Sequence, residues 1–265
     1  MKIGSNIRRW RKRAGLSQKE LAKQLEVSFQ AVSAWERDEY LPDTENFIKL
    51  ADILDISLNK LTDEENFEYH ICFFEIKELE DRLLQYGNAG HEDIIKAYEF
   101  AKIAHQGQRR KGLEGVDFIY HPLMLANHAL ALKLDDDIIV ACLLHDVVED
   151  TDYGIDDLNI SIEAKDIVER MTCIELCDRH LTQSSYFKKL AGNKKAMLVK
   201  CLDRCHNLSD MAAGLVHYKQ IRMINESEEF VLPMLRELRD SEYQDIAYLL
   251  EYQIRALLET CKRLA

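Results

Sequence analysis

Residues 143–151 read Leu-Leu-His-Asp-Val-Val-Glu-Asp-Thr, and the seven residues 138–144 that end at the second leucine are all apolar. This apolar run contains neither glycine nor proline, which predicts a buried helix. The sequence then places four ionisable side chains at the end of that helix. An apolar helix with a charged end is the combination around which the rest of the chain is arranged.

The four ionisable side chains fall into two pairs. In one continuous helix, His145 would stack on Glu149 and Asp146 on Asp150, because residues four apart share a face. Charges entering a buried helix cost several kcal/mol unless a metal or partner charges compensate them. An adjacent His-Asp pair can bind a divalent ion, and the second pair could act on a metal-bound water. The alternative is the solvated end of an amphipathic helix, which so short a motif does not exclude.

The composition indicates a mostly helical globular protein. The chain has 265 residues, long enough for one large domain or for a small and a larger one. It is 47% hydrophobic and 31% charged, with 3 prolines and 10 glycines. No secretory core or membrane-length apolar run is present, and the 7 cysteines are scattered without a Cys-x-x-Cys pair. We therefore expect no membrane contact, reduced thiols and a cytoplasmic location.

The charge is unevenly distributed along the chain. The net charge is −12, yet the first 13 residues hold six basic side chains and no acidic one. An acidic protein with a basic leading segment indicates an anionic partner for that segment alone.

Residues 3–61 predict five short helices. Ser17 followed by Glu20 is a capping box at the start of the second helix. Ser28 caps the third helix, and Glu26-Val27 forms the turn between the two. Two helices joined by a short turn have the layout of a helix-turn-helix.

The segments Leu-Ser-Gln-Lys-Glu-Leu-Ala (16–22) and Val-Ser-Phe-Gln-Ala-Val-Ser-Ala-Trp-Glu-Arg (27–37) resemble the Xre or phage-repressor type of DNA-binding domain. The resemblance implies groove-facing positions at Gln18, Phe29, Gln30 and Ala34, and positions nearer the phosphates at Ser28 and Arg37. It implies a double-stranded DNA operator, normally bound by a homodimer on two half-sites. The alternative is a small helical bundle used for protein contacts.

Residues 62–90 connect this part to the rest. The acidic run at 63–65 is a break, and Phe74, Leu79 and Leu83 then continue a helical apolar pattern. This pattern is too apolar for a free linker, so we expect a helix that packs on the second domain or forms a dimer contact. We divide the chain into a helix-turn-helix domain (1–62), a helical linker (63–90) and a larger helical domain (91–265).

The larger domain carries further chemistry-bearing residues. A loop with three consecutive cations at 109–111, beside glycines, suits a phosphate-rich ligand, although a solvated basic loop is the alternative. His121 precedes the first-turn residue Pro122 of a helix, and Asp203 sits among apolar neighbours, where it needs a metal or an arginine. Two histidines and two aspartates could hold one divalent ion, and such ligands suit Mn²⁺, Fe²⁺ or Zn²⁺.

Five segments together resemble the HD-domain metal phosphohydrolases, and more closely the alarmone (ppGpp) hydrolase domain of the Rel/Spo type. They are Ala-Tyr-Glu-Phe-Ala (97–101), Ala-His-Gln-Gly-Gln (104–108), Tyr-His-Pro (120–122), Leu-His-Asp-Val-Val-Glu-Asp-Thr (144–151) and Asp-Arg-Cys-His-Asn (203–207). The resemblance implies an all-α fold: a five-helix repressor-like domain followed by an all-helical HD-type phosphohydrolase.

The same resemblance implies roles for individual residues. Mn²⁺ would be bound by His121, His145, Asp146 and Asp203. Attacking water would be positioned and activated by Glu149 and Asp150, and the nucleotide held by Arg110, Lys111 and Asn207. The implied reaction is removal of the 3′-diphosphate from ppGpp, giving GDP and pyrophosphate.

Two departures from the family pattern bear on substrate choice. The link from Lys111 to Tyr120 is longer than usual, and Thr172-Cys173 stands where the family has a threonine-lysine pair, so one cation is missing. Two other functions remain open at this point. One is a repressor that senses an alarmone with little turnover, and the other is an antitoxin that degrades the product of a partner alarmone synthetase.

Overall fold

The computed structural model describes residues 3–56, 58–62, 74–110, 116–173, 179–211 and 217–264. Throughout these residues the regular structure is helical, and no strand is present apart from an isolated bridge between Arg109 and Asp117. The all-α prediction is confirmed. No helix in these ranges is both long and apolar enough to cross a membrane.

The first sixty residues form five helices around a small core. These are α1 (Ile3–Arg13), α2 (Gln18–Leu25), α3 (Phe29–Glu36), α4 (Thr44–Ile53) and α5 (Asn59–Thr62). Ser17 and Glu20 form the expected capping box on α2, and Ser28 accepts a hydrogen bond from the Ala31 N–H to cap α3. The turn between them places Glu26 at φ 58°, the left-handed conformation that ends α2.

A buried ion pair joins α1 to α3. Arg11 donates to the Glu36 carboxylate at 2.5 Å, and their side chains are only 9% and 3% exposed. Arg11 also donates to the Leu16 carbonyl at 2.6 Å. Close approach of the two helices depends on Gly4, where a Cβ atom would lie 2.2 Å from the Trp35 carbonyl oxygen.

The larger unit contains the remaining helices. They are α6 (Ile76–Gly87), α7 (Glu92–Ala104), α8 (Tyr120–Ala131), α9 (Asp136–Leu144), α10 (Val147–Asp150), α11 (Ile162–Met171), α12 (Arg179–Leu190), α13 (Lys194–Met211), α14 (His217–Glu226), α15 (Leu232–Leu238) and α16 (Gln244–Leu264). A 3₁₀ turn covers Ile155–Asp157, and a π-helical segment, Ser227–Val231, joins α14 to α15.

Helices α8 and α9 lie at the centre of this unit. All seven residues 138–144 of α9 are buried, as the apolar run predicts. Leu79 and Leu83 of α6 belong to the same core, and Asn127 of α8 donates to the Leu79 carbonyl at 3.1 Å. Helix α6 therefore packs on the larger domain, which is one of the two arrangements expected for the connecting segment.

The expectation of one continuous helix through residues 138–150 is wrong. Helix α9 ends at Leu144, His145 and Asp146 form a turn, and α10 begins at Val147. The His145 ring lies 3.0 Å from the Cys142 carbonyl oxygen, a hydrogen bond from the side chain back to the last turn of α9. His145 and Asp146 therefore lie in the turn between the two helices.

Candidate functional site

Two histidines and two aspartates meet at one end of the core. His121 lies in α8, Asp203 in α13, and His145-Asp146 is the turn between α9 and α10. His121 Nε2 lies 3.2 Å from Asp203 Oδ1 and 3.6 Å from Asp146 Oδ2. His145 Nε2 lies 3.1 Å from Asp146 Oδ1 and 3.9 Å from Asp203 Oδ1. Ligands of one ion, bonded at 2.0–2.2 Å, lie about 3–3.5 Å apart. His121, His145 and Asp146 are close enough to one another to share a single cation, and Asp203 Oδ1 lies beside them.

The orientation of His145 leaves one ring nitrogen available. Its Nδ1 pairs with the Cys142 carbonyl, which fixes the proton on Nδ1 when the ring is neutral. Its Nε2 is buried and faces the Asp146 carboxylate, whose Oδ1 lies 3.1 Å away. A buried nitrogen in this state is suited to bind a metal ion, with the backbone carbonyl holding the ring in place.

His121 is oriented by a residue that was not predicted from the sequence. Its Nδ1 lies 2.8 Å from Nδ1 of His206 in α13, and both rings are about 2% exposed or less. If His121 donates this proton, its Nε2 carries a lone pair towards the two aspartates. Burial, with His121 and Arg110 nearby, lowers the pKa of His206 to about 2, so His206 stays neutral and can accept.

The two imidazoles of the site differ in protonation: His121 is neutral and His145 is charged. Burial and the nearby Arg110 lower the pKa of His121 to about 4. Burial also opposes charge on His145, but Asp146 and Asp203 together raise its pKa to about 9. In the protein alone, the proton on His145 therefore balances carboxylate charge. A divalent cation would replace that proton, and this donor set of two nitrogens and two carboxylates fits such an ion.

Helix α13 presents one polar face to the site. Lys200, Asp203, Asn207 and Asp210 follow one another at spacings of three, four and three residues, which places them on a single helical face. The Asn207 amide donates to Asp203 Oδ1, and Lys200 Nζ lies 2.9 Å from Asp203 Oδ2. Only Asp203 and Asn207 were predicted as site residues, although the spacing was a signal for the other two.

Glu149 and Asp150 lie at the opening of the cavity. Both are exposed, and both line it together with the four convergent side chains. Glu149 Oε2 accepts a hydrogen bond from the Cys173 N–H at 3.0 Å. Although the residue as a whole is exposed, partial desolvation of its carboxyl group raises the pKa of Glu149, and the hydrogen bond from Cys173 opposes that shift. A carboxylate with a raised pKa is a better proton acceptor for a nearby water.

Arg110 is held on the other side of the site. Its Nε donates to Asp210 Oδ2 at 3.1 Å, and one of its terminal nitrogens donates to Asn207 Oδ1. Burial raises the pKa of Asp210, and Arg110 opposes that shift. The structure thus links Arg110 and Asn207, two of the three expected nucleotide contacts. Lys111, the third, lies outside the described residues.

These side chains line a cavity of about 710 Å³. Beyond the four convergent side chains, part of its wall comes from α12 and α14, where no site residue was predicted. Arg204 and Glu226 form a buried ion pair there, and Gln183 donates to Glu226 at 2.9 Å. A volume of this size accommodates a nucleotide.

The expected DNA-binding residues differ in how they are presented. Phe29 is 40% exposed, and Gln30 is also exposed at the start of α3. Ser28 is exposed and caps α3. Ala34 is only 5% exposed, so its side chain packs within the domain. We therefore correct the expectation that Ala34 faces the groove.

Two further residues of this set are held by carboxylates. The Gln18 amide donates to Glu36 at 2.7 Å, which fixes it at the start of α2. Arg37 is exposed and donates to Glu39 at 2.7 Å and to Ser33. An exposed arginine in such a pair remains available to a phosphate, because a surface ion pair contributes little.

Two family profiles match the chain. The helix-turn-helix family matches residues 7–61, and the HD domain family matches residues 97–229. The second match covers half of the chain and contains all four convergent side chains.

Curated relatives match the same region. A guanosine-3′,5′-bis(diphosphate) 3′-pyrophosphohydrolase of Aquifex aeolicus is 30% identical over 164 residues, covering 60% of this chain and 23% of that protein. A GTP pyrophosphokinase of Streptomyces coelicolor is 30% identical over 172 residues, covering 60% of this chain and 20% of that protein. The chain therefore spans about a fifth of the length of the relatives it matches.

A solved structure supports the fold. A chain described as "A metazoan ortholog of SpoT hydrolyzes ppGpp and plays a role in starvation responses" superimposes with a TM-score of 0.54 at 20% identity. The match covers 63% of this chain and 94% of that chain.

Proposed function

The chain belongs to the HD-domain family, and from that membership and the site geometry we propose that it hydrolyses (p)ppGpp at the 3′-diphosphate. The products are GDP or GTP and pyrophosphate. The observation that carries the proposal is the convergence of His121, His145, Asp146 and Asp203 around one cation-sized space, beside Glu149 and Asp150. The relatives named as 3′-pyrophosphohydrolases support the choice of substrate.

Mn²⁺ is the cofactor we propose, held by the two Nε2 atoms and the two aspartates. When bound, the ion lowers the pKa of a water ligand and offsets charge on the phosphoryl group. Carboxylate oxygens suit Mn²⁺, and the two imidazoles complete a mixed nitrogen and oxygen donor set that Mn²⁺ shares with Fe²⁺ and Zn²⁺.

Glu149 and Asp150 are the residues proposed to act on the attacking water. Glu149 is oriented by the Cys173 N–H, and its raised pKa favours taking a proton from water near neutral pH. A protein that only senses a nucleotide has no need for two carboxylates beside the metal ligands. This pair therefore favours the hydrolase over the sensing repressor.

Arg110 and Asn207 are proposed to hold the nucleotide. Arg110 is pre-oriented by Asp210 and Asn207, so little side-chain freedom remains to be lost on binding. A guanidinium that keeps unused N–H groups can donate to a diphosphate. Lys111 directly follows Arg110 in the sequence, and we propose that it adds a second positive charge for the phosphates.

The test is incubation of the full-length protein with ppGpp and Mn²⁺, with separation of GDP and pyrophosphate by anion exchange. We expect turnover that EDTA abolishes and Asp146→Asn removes. The matched control is Asp152→Asn, which changes an exposed carboxylate six residues after Asp146 and should retain full activity. Absence of GDP in the wild-type reaction, under conditions where a known ppGpp hydrolase works, would remove the proposal.

The helix-turn-helix match supports a second activity, binding of an operator in double-stranded DNA. We propose that α3 enters the major groove with Phe29 and Gln30, while Ser28 and Arg37 approach the phosphates. A homodimer would present two such helices to two half-sites. DNA and the nucleotide pool meet in the cytoplasm, where we place both activities. A mobility shift with upstream DNA of the gene, lost in the full-length Gln30→Ala, Phe29→Ala double variant, tests this proposal.

A further inference from the structure

Lys200 is a buried cation that the proposed reaction leaves without a role. It lies in α13, one turn before Asp203, and its side chain is 14% exposed. It lines the cavity, and its Nζ lies 2.9 Å from Asp203 Oδ2 and 5.3 Å from the ring centre of Tyr186 in α12. Burying an ammonium group is costly unless partners compensate for the lost water.

The two oxygens of Asp203 face different partners. Oδ1 lies 3.2 Å from His121 and 3.9 Å from His145, on the side of the proposed cation. Oδ2 accepts from Lys200 on the other side. A cation bound by Oδ1 therefore need not displace Lys200. An ammonium group has three N–H donors, and its contacts with Asp203 and Tyr186 leave one of them for a ligand.

Lys200 and Arg110 approach the site from different directions. Arg110 is held by Asn207 and Asp210, and its charge acts on His121. Lys200 packs on Tyr186, and its charge acts on Glu149. The charge of Arg110 thus acts on a proposed metal ligand, whereas the charge of Lys200 acts on a residue proposed to activate water. A nucleotide that carries one diphosphate at the 3′-oxygen and another at the 5′-oxygen could contact both cations at once.

We propose that Lys200 binds the outer phosphate of the 3′-diphosphate, the group that leaves as pyrophosphate, and so selects 3′-diphosphates over 3′-monophosphates. The inference rests on the proposed function. In the reaction, a water oxygen bonds to the inner phosphorus, the bond from phosphorus to the ribose 3′-oxygen breaks, and that oxygen takes a proton. Lys200 neutralises charge on the phosphate farthest from the broken bond.

The alternative is that Lys200 only orients Asp203, and a comparison of substrates separates the two roles. The substrates are ppGpp and guanosine 5′-diphosphate 3′-monophosphate. For Lys200→Met we expect kcat/KM with ppGpp to fall by about 10- to 100-fold, the size of a lost charge-assisted hydrogen bond, and to fall less than about threefold with the monophosphate. Lys200→Arg, which keeps the charge, should restore most of the ppGpp activity.

Two further measurements do not depend on turnover. Calorimetry should show that Lys200→Met binds Mn²⁺ within about threefold of wild type. With Mn²⁺ present, wild type should bind pyrophosphate more tightly than orthophosphate, and Lys200→Met should lose that difference. Lys188→Met, which removes an exposed charge from α12, should leave both results unchanged. Circular dichroism verifies that each variant is folded.

Loss of Mn²⁺ affinity in Lys200→Met, together with an equal loss of activity on both substrates, would show that Lys200 is a clamp on Asp203 and overturn the inference. If wild type hydrolyses neither nucleotide, the proposed function fails. The pyrophosphate comparison then still tests Lys200 by itself, because it measures binding without a reaction.

Discussion

Binding of Mn²⁺ should stabilise the larger domain by an amount set by the ratio of the ion concentration to its Kd. In the protein without metal, the proton on His145 and the ammonium group of Lys200 balance the carboxylates of Asp146 and Asp203. A ligand that binds only the folded state, present at a hundred times its Kd, stabilises that state by about 2.7 kcal/mol. For a domain of this length the melting temperature should rise by about 5–11 °C, at about 2–4 °C per kcal/mol.

The assay is thermal unfolding of EDTA-treated protein with and without Mn²⁺, followed by circular dichroism. Asp146→Asn should melt at the same temperature with and without the ion, while Asp152→Asn should respond as wild type does. Each variant is compared with its own metal-free form, because removing a buried charge changes stability by itself. An equal Mn²⁺ response in Asp146→Asn and wild type, or no response in wild type, would refute the proposed ligand set.

The stabilisation should also depend on pH, with a definite sign. The pKa of His145 is raised to about 9 in the metal-free fold, above its ordinary value of 6.5. The protonated histidine therefore stabilises the metal-free protein fully below pH 6.5, and this contribution is lost as pH rises through 9. Mn²⁺ must displace that proton, so its affinity should rise about tenfold per pH unit between pH 7 and 8.5. His121, with a pKa of about 4, adds no slope in this range.

Three other changes have expected outcomes. Arg11→Met leaves Glu36 buried without its cation, so the helix-turn-helix domain should lose about 3–5 kcal/mol of stability, measured by urea unfolding; a loss below 1 kcal/mol would contradict the buried pair. Glu149→Gln should lower kcat by about 10²- to 10⁴-fold with Mn²⁺ affinity unchanged in calorimetry; full activity would exclude a role in proton transfer. Gln30→Ala should weaken operator binding by about 1–3 kcal/mol in a titration, whereas equal binding of both proteins would remove Gln30 from base recognition.

Local features of the fold could be predicted because they depend on neighbouring residues. The Ser17 and Ser28 caps need only the backbone amides three positions on, and the burial of residues 138–144 follows from an unbroken apolar run. The end of α9 could not be predicted in this way. Its hydrogen bond between the His145 ring and the Cys142 carbonyl competes with helix continuation, and the sequence pattern is the same in both cases.

Contacts between residues that lie far apart in the chain were harder to predict from the sequence. The chemistry of His121 and Asp203 indicated a shared ion, but the contact between His121 and His206 depends on how α8 meets α13. Lys200 and Asp210 could have been predicted as site residues from their helical spacing to Asp203. They were missed because a charged residue on a helix is usually solvated, and only packing shows that these two are not.

Asn207 connects a proposed metal ligand with a proposed nucleotide-binding residue. Its amide nitrogen donates to Asp203, and its amide oxygen accepts from Arg110, so one planar group orients both side chains. Rotation of that amide to suit one neighbour misplaces the other. A substitution of Asn207 therefore changes the support of a proposed metal ligand and of a proposed nucleotide contact at the same time.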